Sequence, residues 1–203
     1  MRRPGTVLCL AVLLALAWAA GAPAQIQAPS QGLTLRGVNF PDALGAFRRG
    51  RVQVATRTAR QQGTSVDYVG LGATARVFLY GEVDGEADAD SEVLRNEFKQ
   101  VLAAAGKDAK RQGAATAAVR GVRKVRGADG RDHFLEAEMH VESGQDRRVA
   151  YIYLGSYRGQ FVMVSVSSQA RLAGTRPART FITALSRQFW PAAEGEKPAE
   201  KTP

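Results

Sequence analysis

The chain has 203 residues, of which 45% are hydrophobic and 23% charged, with a formal net charge of +9. Those proportions exclude a disordered polypeptide and suit one globular domain able to bury its own core. A single cysteine excludes a disulfide-stapled scaffold, and the basic balance favours anionic partners such as phospholipid headgroups, acidic polysaccharide, acidic proteins or nucleic acid.

Residues 1–24 read as an export signal. Arg2 and Arg3 precede a 14-residue apolar run from Val7 to Ala20, and Ala22-Pro23-Ala24 supplies the small-x-small pattern of a signal peptidase site. Cleavage is expected between Ala24 and Gln25. The run is shorter than the roughly 20 residues that cross a bilayer, so no transmembrane anchor is expected in the mature chain. Loss of Arg2 and Arg3 lowers the net charge from +9 to +7, and loss of Cys9 removes the only thiol. The expected location is periplasmic or secreted.

Residues 25–37 read as a flexible connector, and 38–190 as a single α+β domain. Phe40 to Phe47, broken by Pro41 and Gly45, is expected to be a turn or one helical turn. Val52, Val54 and Thr56 alternate with Arg51, Gln53 and Arg57, the pattern of a half-buried strand. Thr64–Val69 and Thr74–Tyr80 follow as further strands around Gly70-Leu71-Gly72, completing a meander. An acidic loop, Gly81 to Asp90, leads into a helix whose start is marked by Asp90, Ser91 and Glu92. Its apolar stripe is Leu94, Phe98, Val101, Leu102 and Ala105. A basic segment, Val119 to Arg126, precedes strands at Asp132–Val141, Arg147–Leu154 and Gln160–Ser167. A four-residue turn at Ser143-Gly144-Gln145-Asp146 predicts the pairs Met139 with Ala150, Ala137 with Ile152, and Leu135 with Leu154. A closing helix over about Pro177–Trp190 presents Ala178, Phe181, Ile182, Leu185 and Phe189. Residues 191–203 are expected to be disordered.

This order of elements resembles the PsbP-like group, named for an extrinsic photosystem protein, and more closely a family of exported bacterial proteins of unknown role. The residues that carry it are Phe40-Pro41-Asp42-Ala43-Leu44-Gly45-Ala46-Phe47, Ala73 to Tyr80, Tyr151-Ile152-Tyr153-Leu154 and Tyr157 to Val164. The resemblance implies an α/β/α sandwich, an antiparallel sheet of two meanders with helices on both faces. It brings no catalytic motif and no functional residue, and it implies a binding or assembly factor.

Four constellations bear on chemistry. Gly70-Leu71-Gly72-Ala73-Thr74-Ala75 matches the dinucleotide fingerprint but runs into a strand rather than a helix, so it reads as a hairpin turn. Glu82, Asp84, Glu86, Asp88 and Asp90 space carboxylates at alternate positions, which suits calcium, but Ala89 and Arg95 stand where an EF-hand needs Gly and Glu. The loop reads as solvated, its last acids capping the helix. Glu136, Glu138 and His140 share one strand face as a metal candidate. The outer two lie about 13 Å apart, so all three cannot bind one ion. Pairing with arginines or the Tyr151 and Tyr153 hydroxyls is the competing reading. Arg120, Arg123, Lys124 and Arg126 form an anion-binding candidate, with Arg120, Lys124 and Arg126 expected on the face of Val122. The aromatic interleaving of a single-strand nucleic-acid platform is missing, so nucleic acid is not an expected partner.

No nucleophile elbow or metalloprotease motif is present. The sequence therefore points to an exported, non-catalytic binding or assembly module of the cell envelope, with an unknown protein or anionic envelope component as partner and no cofactor. The alternative is a metal-assisted or acid–base hydrolase using Glu136, Glu138 and His140.

Overall fold

The computed structural model describes residues 32–55, 63–144, 146–169 and 175–191. The signal segment with its Ala24–Gln25 junction, and the tail beyond residue 191, lie outside the described residues, as does the expected strand end at Thr56–Thr58.

A short ribbon opens the fold: β1 (Leu33–Leu35) pairs antiparallel with β2 (Val38–Phe40). Leu33–Leu35 falls in the segment expected as a connector. Arg36 and Gly37, at φ 50° and 78°, make the tight two-residue turn that matches strand twist. The Phe40–Phe47 stretch forms no helical turn. It ends β2, forms the two-residue strand β3 (Ala43–Leu44), and turns at Gly45 into β4 (Phe47–Ala55).

The other strands are β5 (Gly63–Gly70), β6 (Ala73–Tyr80), β7 (Thr116–Arg126), β8 (Asp132–Ser143), β9 (Asp146–Tyr157) and β10 (Gln160–Gln169). Together with β3 and β4 they form one eight-stranded sheet in the order β3-β4-β5-β6-β10-β9-β8-β7. All neighbours are antiparallel. Each meander's last strand lies at the centre of the sheet, and the two join through β6 and β10, with Val77 opposite Val164. The β8–β9 register is the expected one: Leu135 faces Leu154, Ala137 faces Ile152, and Met139 faces Ala150. Leu71 and Gly72, at φ 52° and 68°, form a hairpin turn between β5 and β6, so the glycine-rich segment opens no helix.

Helix α1 spans Glu92–Arg111 and α2 spans Arg176–Phe189. Ser91 Oγ accepts the Leu94 amide at 3.2 Å, which caps α1. Leu94 and Phe98 pack on Leu135, Ala137, Met139, Ile152 and Leu154. On the opposite face Ala178, Phe181, Ile182, Leu185 and Phe189 of α2 join Val66, Tyr68, Val77, Leu79, Val162 and Val164.

The expected α/β/α sandwich is corrected by these proportions. Among the described residues the molecule is mostly β, with 52% strand, an eight-stranded antiparallel sheet and two helices. Its physical reason is width. Eight strands at 4.8 Å spacing span about 34 Å, whereas a helix with its side chains is about 10–12 Å across. One helix therefore covers only part of a face: α1 packs on β7, β8 and β9, and α2 on β3, β6 and β10. Neither makes a layer.

Candidate functional site

On the side of the sheet that carries α2, side chains change character in sequence from the helix to the sheet edge. Under α2 the strands present valines. One strand further out, β9 presents Tyr151 and Tyr153, whose rings join the apolar cluster while their hydroxyls point toward the next strand's acids. Then β8 presents Glu136, Glu138 and His140, and β7 presents Arg123 and Arg120 at the edge. The register fixes this order: Arg123 stands opposite Glu136 and Glu136 opposite Tyr153, while Arg120 stands opposite Glu138 and Glu138 opposite Tyr151.

Glu136 is buried, at 4% exposure, and its Oε1 accepts a charge-assisted hydrogen bond from Arg123 at 2.5 Å. That bond, outweighing desolvation, raises the Arg123 guanidinium above its ordinary value. The Tyr153 hydroxyl is fully buried beside Glu136 but out of hydrogen-bonding alignment. Desolvation first, and the neighbouring carboxylate second, push its ionisation far above the ordinary phenol range. Tyr151 is raised for the same reasons, with Glu138 as its acid neighbour. Glu138 Oε1 lies 2.5 Å from His140 Nε2, both half-buried. Glu136 and Glu138 thus have separate partners, an arginine of β7 for the first and His140 of the same strand for the second. Among the described residues no group of three or more His, Cys, Asp or Glu side chains is arranged to hold a metal ion.

The four basic residues do not share a face. Gly121, at φ 74°, is the extra residue of a β-bulge between Arg120 and Val122, and it reverses the alternation of the strand. Arg120 and Arg123 consequently lie on the acid–tyrosine face, while Val122 and Lys124 turn to the α1 side, opposite Ala137 and Leu135. The sequence signal was available: an isolated glycine inside a strand pattern marks a bulge. Three of the four cations meet acids of the chain. Arg123 pairs with Glu136, Lys124 with Asp90 at 2.6 Å, and Arg126 with Asp132 at 3.5 Å. Only Arg120, among these four, has no ion-pair partner among the described residues.

The Lys124 contact joins the acidic loop to the basic strand. Its hydrogen bond, the largest effect at Asp90, holds that carboxyl below its usual range. The loop is also pinned by backbone bonds from Val83 to Gly159 at 2.8 Å and from Ala89 to Asp132 at 3.0 Å. Ser156 Oγ both accepts from the Ala87 amide and donates to its carbonyl. Glu82, Asp84, Glu86 and Asp88 point into solvent. His133 is buried, with Nε2 2.8 and 2.9 Å from the two Asp129 oxygens and its ring stacked on Trp190 at 4.3 Å.

No family model, curated protein or solved structure matches the chain. Among the described residues no helix is long and apolar enough to cross a membrane.

Proposed function

We propose that the chain is an exported, non-catalytic binding or assembly module of the cell envelope, and that it engages a protein or anionic envelope component through the polar flank of the sheet beside α2. The observation that carries this reading is the pairing within the flank. Glu136 is held by Arg123 and Glu138 by His140, so both carboxylates that a hydrolase would use as acid and base are committed to neighbouring side chains. Such pairing fixes side-chain positions, as a recognition surface requires. The exposed outer members, Arg120 and Arg123, supply the positive rim that an anionic partner would meet.

Site-specific photocrosslinking in the source cells tests the reading. A crosslinking residue at Arg120 is expected to trap a defined adduct in the envelope fraction. The same residue at Val93, exposed on α1, is expected to trap none. Equal adducts at both positions, or none at Arg120, would refute it. Export is checked separately by Edman or mass-spectrometric reading of the mature N-terminus, expected at Gln25.

A further inference from the structure

Where the β7–β8 turn meets the end of α2, the fold forms a half-open pocket of about 400 Å³ lined by Arg126, Gly127, Ala128, Thr183, Ser186, Arg187 and Pro191. We propose that this pocket binds the oxyanion of a phosphate ester, carried either on a lipid headgroup or on a small soluble molecule. The inference sharpens the binding reading above by naming a ligand chemistry, and it has its own test.

The lining is rich in donors. Arg126 and Arg187 bring two guanidinium groups, and Thr183 and Ser186 bring hydroxyls. Two of the four buried polar side-chain atoms that lack a partner among the described residues belong to this corner: Ser186 Oγ and Trp190 Nε1. An indole N–H can only donate, so burying it without an acceptor is costly. Trp190 is not itself a lining residue; it precedes Pro191, which lines the pocket, and stacks on His133, which abuts Gly127. Ser186 Oγ, on a lining residue, is unpartnered among the described residues and is the group that a ligand's oxygens would meet.

The acids nearby are already engaged. Asp129 is held by His133 and by the Arg131 amide. Asp132 touches Arg126 through Nε at 3.5 Å, which leaves that guanidinium's terminal nitrogens for a ligand. The α2 C-terminus contributes about half a negative charge, which opposes an anion. Arg187, which has no ion pair among the described residues, outweighs it, and Arg126 shares its charge with Asp132. Gly127 keeps the turn close: a Cβ there would stand 2.5 Å from His133 Cδ2 and 3.0 Å from Asp129 Oδ1. The volume exceeds that of a bare oxyanion, so the ester's attached group would also be accommodated.

The test is an NMR titration of the exported chain with inorganic phosphate, following the Trp190 indole and the Gly127, Ala128 and Ser186 amides. Saturable shifts confined to these signals are expected, with affinity falling about tenfold or more in Arg187→Ala. Arg187→Lys should recover part of the loss, and Arg179→Ala, an exposed site elsewhere on α2, should change nothing. Co-sedimentation with phosphatidylglycerol vesicles that is lost in Arg187→Ala would assign the ligand to a headgroup. Phosphate shifts without sedimentation would assign it to a soluble ester. Absence of saturable shifts, or shifts that survive Arg187→Ala unchanged in a folded variant, would overturn the proposal. Either result leaves the crosslinking experiment at Arg120 to decide the wider reading.

Discussion

Replacing Arg123 with alanine strands a carboxylate. Removing one partner of a fully buried ion pair costs about 3–5 kcal/mol, because a charge is left without compensation. An exposed pair is worth about 0–1 kcal/mol. The Arg123–Glu136 pair falls between these limits: the Glu136 side chain is 5% exposed, but that of Arg123 is 51% exposed and screened by water. We therefore expect Arg123→Ala to cost about 2 kcal/mol, equivalent to about 4–8 °C in Tm for a domain of this size. Urea unfolding of Arg123→Ala, Glu136→Gln and the double variant measures it. The double variant should lose clearly less than the sum of the two single losses, because a neutral amide in place of the Glu136 carboxylate needs no counter-ion. A loss under about 0.5 kcal/mol with an additive cycle would show that Glu136 is solvated, and the flank would then be an ordinary charged surface.

Four further outcomes follow from the geometry. Leu94→Ala should cost about 3 kcal/mol in urea unfolding, since the side chain is fully buried against β8 and β9; a loss below about 1 kcal/mol would mean that α1 is not docked there. Ser91→Ala should cost about 1 kcal/mol through loss of the bond to the Leu94 amide, and Ser91→Asp should restore it. Gly121→Ala should cost about 1 kcal/mol from backbone strain alone, because φ is 74° and a Cβ there would meet no atom within 4 Å. Acid should destabilise the fold. Burial pushes Asp129 up, but its bonds from His133 and the Arg131 amide outweigh that push and leave it lowered, and Asp90 is lowered by Lys124. The unfolded chain then binds these protons at higher pH, near 3.9, so their contribution is complete above about pH 4 and fades as pH falls below it. Urea midpoints at pH 5 and pH 3 compare the two, and an unchanged midpoint would contradict the pairing.

What could be read from the sequence was set by local alternation. The β8–β9 register was legible because a one-residue slip would move Leu135, Ala137 and Met139 out of the core, and a single short turn fixes the offset. α1 was legible because Ser91 and the Leu94–Phe98 stripe mark its start and its buried side. Leu33–Leu35 was not: three residues beside a polar stretch carry too little pattern, and their partner Val38–Phe40 decides them. Arg120 was placed on the wrong face because alternation was continued through Gly121, where the backbone adds a residue. The pocket had no local signature at all. Arg126 and Arg187 are 61 positions apart in the chain, and only the return of α2 toward the β7–β8 turn unites them.

The shortage of helix and the polarity of the flank have one cause. With a single helix on that side, the strands beyond its edge cannot all be valine without leaving apolar surface in water. The chain resolves this in steps of one strand: tyrosine, with a buried ring and a polar tip, then glutamate, then arginine at the solvent boundary. Each step requires the next, since the buried Glu136 is tolerable only because Arg123 reaches over it. The Gly121 bulge is what makes that reach possible. Were Gly121 paired as an ordinary ladder residue opposite Ala137, Arg123 would turn to the α1 side and Val122 would face Glu136. A residue inserted after Gly121 should therefore shift Arg123 off Glu136 and cost more than Gly121→Ala, and most of the excess should disappear when Glu136→Gln is added. Deletion of Gly121 should keep the pair, since Arg120, Val122 and Arg123 then stand consecutively opposite Glu138, Ala137 and Glu136. Loss of that rescue would separate the bulge from the ion pair and leave the arrangement of the flank without its physical explanation.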